Sequence, residues 1–445
     1  MKNFLKSIYL TNRIYYAASL IIVFFVIGYY IPLLYAAGKA ILLILAALVI
    51  IDILLLYNSS SFKIKAERLL PTKLSNGDDN DIQIFIKNNY KFPVFTEIID
   101  EIPFQFQKRD FLIKKKLQPG QEKNITYVLR PVKRGEYDFG NLNIYVSSIL
   151  GIIQKRFTFN KGAKVPVYPS FIQMRKYELK AIRNNLTDYG IKKLRKISNN
   201  REFEQIKNYV YGDDFRTVNW KATARRSQLM VNQYQDERAQ RVYSIIDMGR
   251  TMKMPFNGMS LLDYAINAAL VISNIAVKKH DKAGLITFSK NIHSIVPADR
   301  KNNQISKISD VLYKQETDYD EANFELLYAS VKRKITQRSL LLIYTNFEGF
   351  VSLERQIKYF KQLAESHLVV LIFFENSELK NITDEKPETS PDIYNKAIAE
   401  KFRYEKVLIT KELKKNGIHS VLTEPQHLTV ETINKYLELK AKGLL

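Results

Sequence analysis

Two long apolar segments near the start of the chain constrain its fold more than any other feature. Residues Ile14 to Ile31 carry no charge and are rich in Ile, Val, Phe and Tyr. At ~1.5 Å rise per residue they are long enough to cross most of a ~30 Å hydrocarbon layer. After Pro32 and a break at Gly38-Lys39, Ala40 to Tyr57 forms a second stretch interrupted by Asp52. A cleaved signal peptide would have an apolar core of ~7–15 residues and would leave the second stretch unexplained. The expectation is a transmembrane helical hairpin over residues 1–60. Lys2, Lys6 and Arg13 precede it, Lys63, Lys65 and Arg68 follow it, and the connection holds only Lys39. The positive-inside rule then puts both ends, and the soluble domains, on the cytoplasmic side of the membrane. Asp52 lies about a turn and a half from the membrane edge, where an interfacial or partner-facing role is expected.

The 445 residues leave room for two or three domains, because single cores stop growing near ~250–300 residues. Hydrophobic residues at 46% and charged residues at 25% are the balance of folded domains and not of a solvated disordered chain. A formal charge of +23 draws the surface toward anionic partners. The tracts Lys192-Lys193-Leu194-Arg195-Lys196 and Lys332-Arg333-Lys334 are more simply explained by anionic membrane lipids than by nucleic acid. With no cysteine, disulfides, thiolate metal sites and cysteine nucleophiles are excluded.

From residue 61 to 170 apolar residues alternate at period two: Ile82, Ile84 and Ile86, then Ile125, Tyr127 and Leu129, then Leu142, Ile144 and Val146. Turn clusters at residues 75–80, Gln118-Pro119-Gly120 and Arg134-Gly135 separate them, as in an all-β immunoglobulin-like sandwich. Residues 171–238 form a signature and linker segment. From 239 to 445 continuous apolar runs such as Leu340–Tyr344 and Leu368–Phe374 alternate with helical stretches. That pattern marks buried parallel strands covered by helices, a Rossmann-like doubly wound α/β domain. Ligands of such sheets bind outside the carboxyl ends of the strands, which draws attention to Asp247 and Asn346.

One strand ends in Asp247-Met248-Gly249-Arg250-Thr251, a later loop carries Thr317-Asp318, and another strand ends in Thr345-Asn346. This set resembles the von Willebrand factor A domain, whose metal-ion-dependent adhesion site places an Asp-x-Ser-x-Ser loop, a distant Thr and a distant Asp around a divalent cation. Asp247, Thr251 and Thr317 match the family's oxygen ligands, while Gly249 stands in place of a serine and Asn346 in place of the second aspartate. A degenerate site at Asp247, Thr251, Thr317 and Asn346 would bind Mg²⁺ or Mn²⁺ weakly, because one hydroxyl and one carboxylate are missing. The plainer alternative is that Asp247 braces the strand-to-helix turn, with Gly249 easing its backbone.

The longest motif runs from Arg201 to Arg226: Arg201-Glu202-Phe203, Tyr209-Val210-Tyr211-Gly212-Asp213, Arg216-Thr217-Val218-Asn219-Trp220-Lys221 and Ala224-Arg225-Arg226. It is similar to the signature of a bacterial domain-of-unknown-function family, number fifty-eight, in which these elements precede an A-like domain. Lys133-Arg134-Gly135-x-Tyr137, Leu150-Gly151 and Val167-Tyr168-Pro169 also resemble family features. The resemblance implies a multi-pass protein of the inner (cytoplasmic) membrane, working with a MoxR-type AAA+ ATPase and other A-domain membrane proteins to mature envelope or metal-containing complexes. Physically, the segment interleaves acids and bases around the single tryptophan. In one reading Trp220 plugs a domain junction and the charges pair with one another; in the other Arg225 and Arg226 present a docking surface to an acidic partner, and the two can coexist. Tyr209, Gly212, Asp213, Arg216, Trp220, Lys221, Arg225 and Arg226 are the candidate partner-binding residues.

The five histidines lack zinc-ligand spacing, and no hydrolase, Walker A or Gly-x-Gly-x-x-Gly motif is present. The expectation is a membrane-anchored, non-enzymatic adaptor or assembly factor. The alternatives are a cation-dependent enzyme at the α/β rim and a purely structural membrane scaffold.

Overall fold

The structure, a computed structural model, describes residues 6–57, 63–159, 162–183, 202–211, 213, 215–235, 239–384, 387 and 389–444. It divides into two compact units, Met1–Tyr168 and Pro169–Leu445.

In the first unit, strand β1 (Ile8–Leu10) leads into the helices Asn12–Gly28 and Pro32–Tyr57. The second helix is long and apolar enough to cross a membrane, with a mean hydropathy of 3.0; the first is also apolar but shorter, at 17 residues. Both expose rows of large apolar side chains, among them Leu20, Ile22, Leu43 and Ile44, a surface that water disfavours and a membrane accepts. The expected break at Gly38-Lys39 is absent. Pro32 opens the helix, where a missing N–H costs nothing, and the chain stays helical to Tyr57. Gly38 faces the partner helix, where a Cβ would meet the Phe25 ring at 3.4 Å, so its small size serves close packing. Lys39 consequently lies inside the helix, over the Tyr35 ring at 4.6 Å, and not in the connection.

The strands that follow are β2 (Ile64–Leu69), β3 (Leu74–Ser75), β4 (Asn80–Asn88), β5 (Val94–Asp100), β6 (Ile113–Leu117), β7 (Glu122–Leu129), β8 (Gly135–Phe139), β9 (Leu142–Ser147), β10 (Ile153–Phe159) and β11 (Ala163–Tyr168). They form a five-stranded sheet, β1-β10-β9-β5-β6, and two three-stranded sheets, β2-β4-β7 and β3-β11-β8. One apolar core joins all three, and the alternating residues named above, from Ile82 to Val146, lie within it. This is a β-sandwich. Two features of it were not expected from sequence. Residues 8–10, ahead of the first helix, supply an edge strand, with Leu10 opposite Ile153. The last turns of the second helix also belong to the sandwich: Leu56 is buried in its core, Leu48, Val49 and Ile53 pack on it, and Tyr90 Oη donates to the Leu56 carbonyl at 3.1 Å. Asp52 therefore faces neither lipid nor a partner. It is buried, and its carboxylate accepts from Ser148 Oγ and from the backbone N–H of Ile152 (3.0 Å) and Ile153 (2.9 Å).

The second unit contains the helix Phe171–Arg183, an antiparallel hairpin of β12 (Glu202–Asn208) and β13 (Met230–Gln235), and a six-stranded sheet. The sheet strands are β14 (Arg241–Asp247), β17 (Lys282–Phe288), β18 (Ile292–Asp299), β19 (Leu340–Tyr344), β20 (Leu368–Phe374) and β21 (His419–Thr423); a small ribbon of β15 (Pro255–Phe256) and β16 (Met259–Ser260) intervenes. The order is β18-β17-β14-β19-β20-β21, parallel except for the edge strand β18. Helices Leu261–Lys278, Gln304–Tyr313 and Leu428–Ala441 contribute to the core on one face, and Phe324–Lys334, Phe350–Ser366 and Ser390–Lys415 to the core on the other. The helix Leu261–Lys278 is apolar enough to pass for a membrane span, yet 83% of it is buried, because it is the central core helix. Ser260 and Asp263 close a capping box at its start, satisfying two backbone donors that the first turn leaves free.

Candidate functional site

The chain leaves β14 for β17 on one side and reaches β19 on the other, so the crevice beyond the carboxyl ends of β14 and β19 is the topological switch point. Asp247 ends β14 and is buried. Its Oδ1 accepts from the Gly249 N–H at 2.7 Å and its Oδ2 accepts from Thr345 Oγ1 at 2.6 Å. The loop carrying Thr317 closes over this turn: Asp318 N–H donates to the Met248 carbonyl at 2.8 Å and Arg250 N–H to the Asp320 carbonyl at 3.0 Å. That closure explains the glycine. A Cβ at Gly249 would lie 3.0 Å from Asp247 Oδ1, 3.1 Å from the Asp320 carbonyl and 3.2 Å from the Ala322 nitrogen, so a serine there would require its neighbours to give by a few tenths of an ångström.

Burial pushes the Asp247 carboxyl up to about 6, against the downward pull of the Thr345 and Gly249 hydrogen bonds. A folded-state pKa above the unfolded value means the folded protein holds its proton longer. Stability is thus fully present below about pH 4 and falls by roughly 3 kcal/mol as pH rises toward 6. Asp247→Asn keeps an oxygen for Gly249 and should remove that decline. The check is thermal unfolding of both proteins from pH 4 to pH 7: parallel curves would refute the assignment of the slope to Asp247.

On the other side of the crevice, Lys406 from the helix Ser390–Lys415 reaches Asn346. Its ammonium donates to Asn346 Oδ1 at 2.9 Å and to the Phe347 carbonyl. Burial pushes the Lys406 amine down to about 8, with Glu348 and Glu405 opposing the shift. Thr251 and Asn346 line the same cavity as Lys406, while Asp247 lies beneath the turn and Thr317 on the loop beside it, outside that lining. These residues do not fit a divalent cation. Both Asp247 oxygens are engaged within the protein, and the Asn346 oxygen already faces a positive charge. Among the described residues no group of three or more His, Asp or Glu is arranged to hold a metal.

Lys406 was missed in the sequence because the helix is rich in lysine. Its register was legible: Ala399, Phe402, Lys406, Ile409 and Leu413 follow the spacing of one helix face, and a lysine on an apolar face marks a buried amine. A second unforeseen cluster joins Ser289, His293 and Asp318. Ser289 Oγ donates to Asp318 Oδ2 at 2.6 Å, while His293 Nε2 lies 2.8 Å from Ser289 Oγ and 3.1 Å from Asp318 Oδ2. One ring nitrogen faces both partners, so this is not a nucleophile, base and orienting acid in series.

The signature residues fold into the β12–β13 hairpin and its connection. Asp213 accepts from the Val210 N–H at 3.0 Å and pairs with Lys207 at 3.0 Å; the Val210 bond first, and then Lys207, hold its carboxyl below the usual range. Asn219 caps the helix Trp220–Arg226 by accepting from Ala222 N–H at 3.0 Å. Tyr209, Phe215 and Trp220 meet edge to face, at 6.3 and 6.1 Å. Trp220 is 64% exposed, beside Phe215 at 60%. Arg216, Lys221, Arg225 and Arg226 are exposed as well, and Gly212 lies outside the described residues.

Residues 205–380 match the family described as "Protein of unknown function DUF58". The "Uncharacterized protein YeaD" of Bacillus subtilis (strain 168) is 27% identical over 184 residues, which is 40% of this chain and 45% of that protein, so the chain matches less than half of that relative's length. Among solved structures, the conserved hypothetical protein BatB from Bacteroides thetaiotaomicron is similar over 46% of this chain and 100% of its own, at 14% identity and a TM-score of 0.31. The PapD-like domain of human CEP192 is similar over 24% of this chain and 87% of its own, at 9% identity and a TM-score of 0.19. Likeness of that degree carries no argument about fold. The profile match and the Bacillus relative together support the DUF58 family, a family of unknown function, for the stretch from 205 to 380.

Proposed function

We propose that the chain is a membrane-anchored, non-enzymatic adaptor that docks a protein partner through the signature hairpin. The observation that carries this reading is the exposed, contacting pair of Phe215 and Trp220, with the exposed Lys221, Arg225 and Arg226 following in the same segment. Water-exposed aromatic rings next to arginines are the composition of a binding hot spot, and arginine adds planar, specific pairing with acidic groups. The helix Pro32–Tyr57, with its exposed apolar flanks, supplies the anchor, and the distribution of Lys and Arg around the hairpin supports a cytoplasmic orientation. The strand order of the second unit supports a von Willebrand factor A-like assignment for its sheet. By the family resemblance the partner is a MoxR-type AAA+ ATPase, and the client an envelope or metal-containing complex.

The test uses the full chain in detergent micelles with its cognate MoxR-type ATPase. The expected result is co-purification of the two, weakened about tenfold or more by Trp220→Ala and by the double change Arg225→Glu, Arg226→Glu, with thermal unfolding unchanged. Failure to co-purify overturns the adaptor reading. Binding that survives both variants but is lost when the sandwich is altered would favour a structural scaffold.

A further inference from the structure

The crevice at the switch point is a cavity of about 630 Å³. Its walls are largely apolar, with Met254, Phe256, Phe374, Leu379 and Phe402 among them, and Met254 and Phe402 are exposed at its edge. Three cationic side chains line it. Arg250 pairs with Glu348 at 3.1 Å and Arg403 with Glu375 at 3.6 Å. Lys406 differs: its acceptors, Asn346 Oδ1 and the Phe347 carbonyl, are both neutral. Two of the ammonium's three donors are thereby engaged. A charge withdrawn from water is costly unless an opposite charge meets it; among the described residues Lys406 forms no direct ion pair, and Glu348 and Glu405 act on it only from longer range.

We propose that this cavity binds the carboxylate of an acidic residue in a partner polypeptide, next to an apolar side chain of that segment, with the Lys406 ammonium as counter-ion in place of a divalent cation. The neighbouring apolar side chain would lie against Phe374 and Phe402, and the carboxylate would complete the hydrogen bonding of Lys406. Asn346 has a defined part: its oxygen holds the ammonium at the cavity wall, a role an amide fills without the ion pair that an aspartate would form and that would cancel the charge. The amine remains mostly protonated at pH 7, so the counter-ion is present under neutral conditions. The inference rests on the adaptor reading only in taking the ligand to be a polypeptide.

The probe is N-acetyl-Phe-Asp-Leu-amide, compared with its Phe-Asn-Leu counterpart, titrated into the full chain in detergent micelles by calorimetry with EDTA and again with Mg²⁺. Because the ATPase is absent and the signature hairpin intact, failure here is separable from failure of the docking test above. The expected result is saturable binding of the Asp peptide, at least about tenfold tighter than the Asn peptide, which is the usual worth of a charged hydrogen bond. Binding should be unchanged by EDTA or Mg²⁺, weaken as pH rises past about 8, and be lost in Lys406→Met. Equal affinity for the two peptides, loss of binding in EDTA, or no binding to the wild-type chain would each overturn the proposal. The peptide pair and the pH series need no variant, so the test stands even if Lys406→Met fails to fold.

Discussion

Arg68→Ala should cost the first unit roughly 3–5 kcal/mol. Arg68 and Asp100 are fully buried and paired. The guanidinium also donates to the Gly140 carbonyl at 2.9 Å, and Tyr127 Oη donates to Asp100 Oδ2 at 2.5 Å. Removing the arginine leaves a carboxylate in an apolar core with one hydroxyl as its partner. Burial already pushes Asp100 upward more strongly than Tyr127 and Arg68 pull it down, so the variant should relieve part of its deficit by protonating. The deficit should accordingly be full at neutral pH and shrink toward acid. The double variant Arg68→Met, Asp100→Leu should recover much of the loss, since apolar pairs often replace buried ion pairs at little cost. Thermal unfolding of the full chain in detergent measures all three; a loss below about 1 kcal/mol for Arg68→Ala would show that the pair is dispensable.

Asp52→Ala should loosen the junction between the second helix and the sandwich by roughly 3–5 kcal/mol. Two backbone N–H groups and the Ser148 hydroxyl would lose their acceptor, each at about 1–3 kcal/mol when left buried and unsatisfied. Asp52→Asn should fall in between, because an amide offers one acceptor oxygen and presents donors to donors. Hydrogen exchange locates the effect: protection of the Ile152 and Ile153 amides should drop before that of the core strands β4 and β7. Unchanged protection at those two amides would contradict the bracing role assigned to Asp52.

The contrast between these residues explains how far the sequence could be read. Period-two alternation around Ile82, Ile84 and Ile86 and the unbroken run Leu340–Tyr344 each mark an element and the faces it buries, because side-chain direction in a strand is set by local geometry. Elements with weaker patterns escaped: β18 is an edge strand of intermediate exposure, and the helix Gln304–Tyr313 buries only Gln304, Ile308 and Leu312. Tryptophan is usually well buried, and the exposure of Trp220 depends on what surrounds the hairpin, which no local rule contains.

At the rim the division is the same. Apolar periodicity and strand ends were enough to place Asp247 and Asn346 at the carboxyl edge of a parallel sheet. Which atoms would meet there was a matter of tertiary structure. Thr345 and Gly249 occupy the Asp247 oxygens, the loop over Gly249 crowds the place of a serine side chain, and Lys406, 60 residues beyond Asn346, brings an ammonium to the crevice. The amphipathic and apolar patterns determine that a hairpin, a sandwich and an α/β sheet form, since burial depends on short-range periodicity. The hydrogen-bond partners of a buried carboxylate or ammonium come from segments distant in the chain, and only packing brings them within reach.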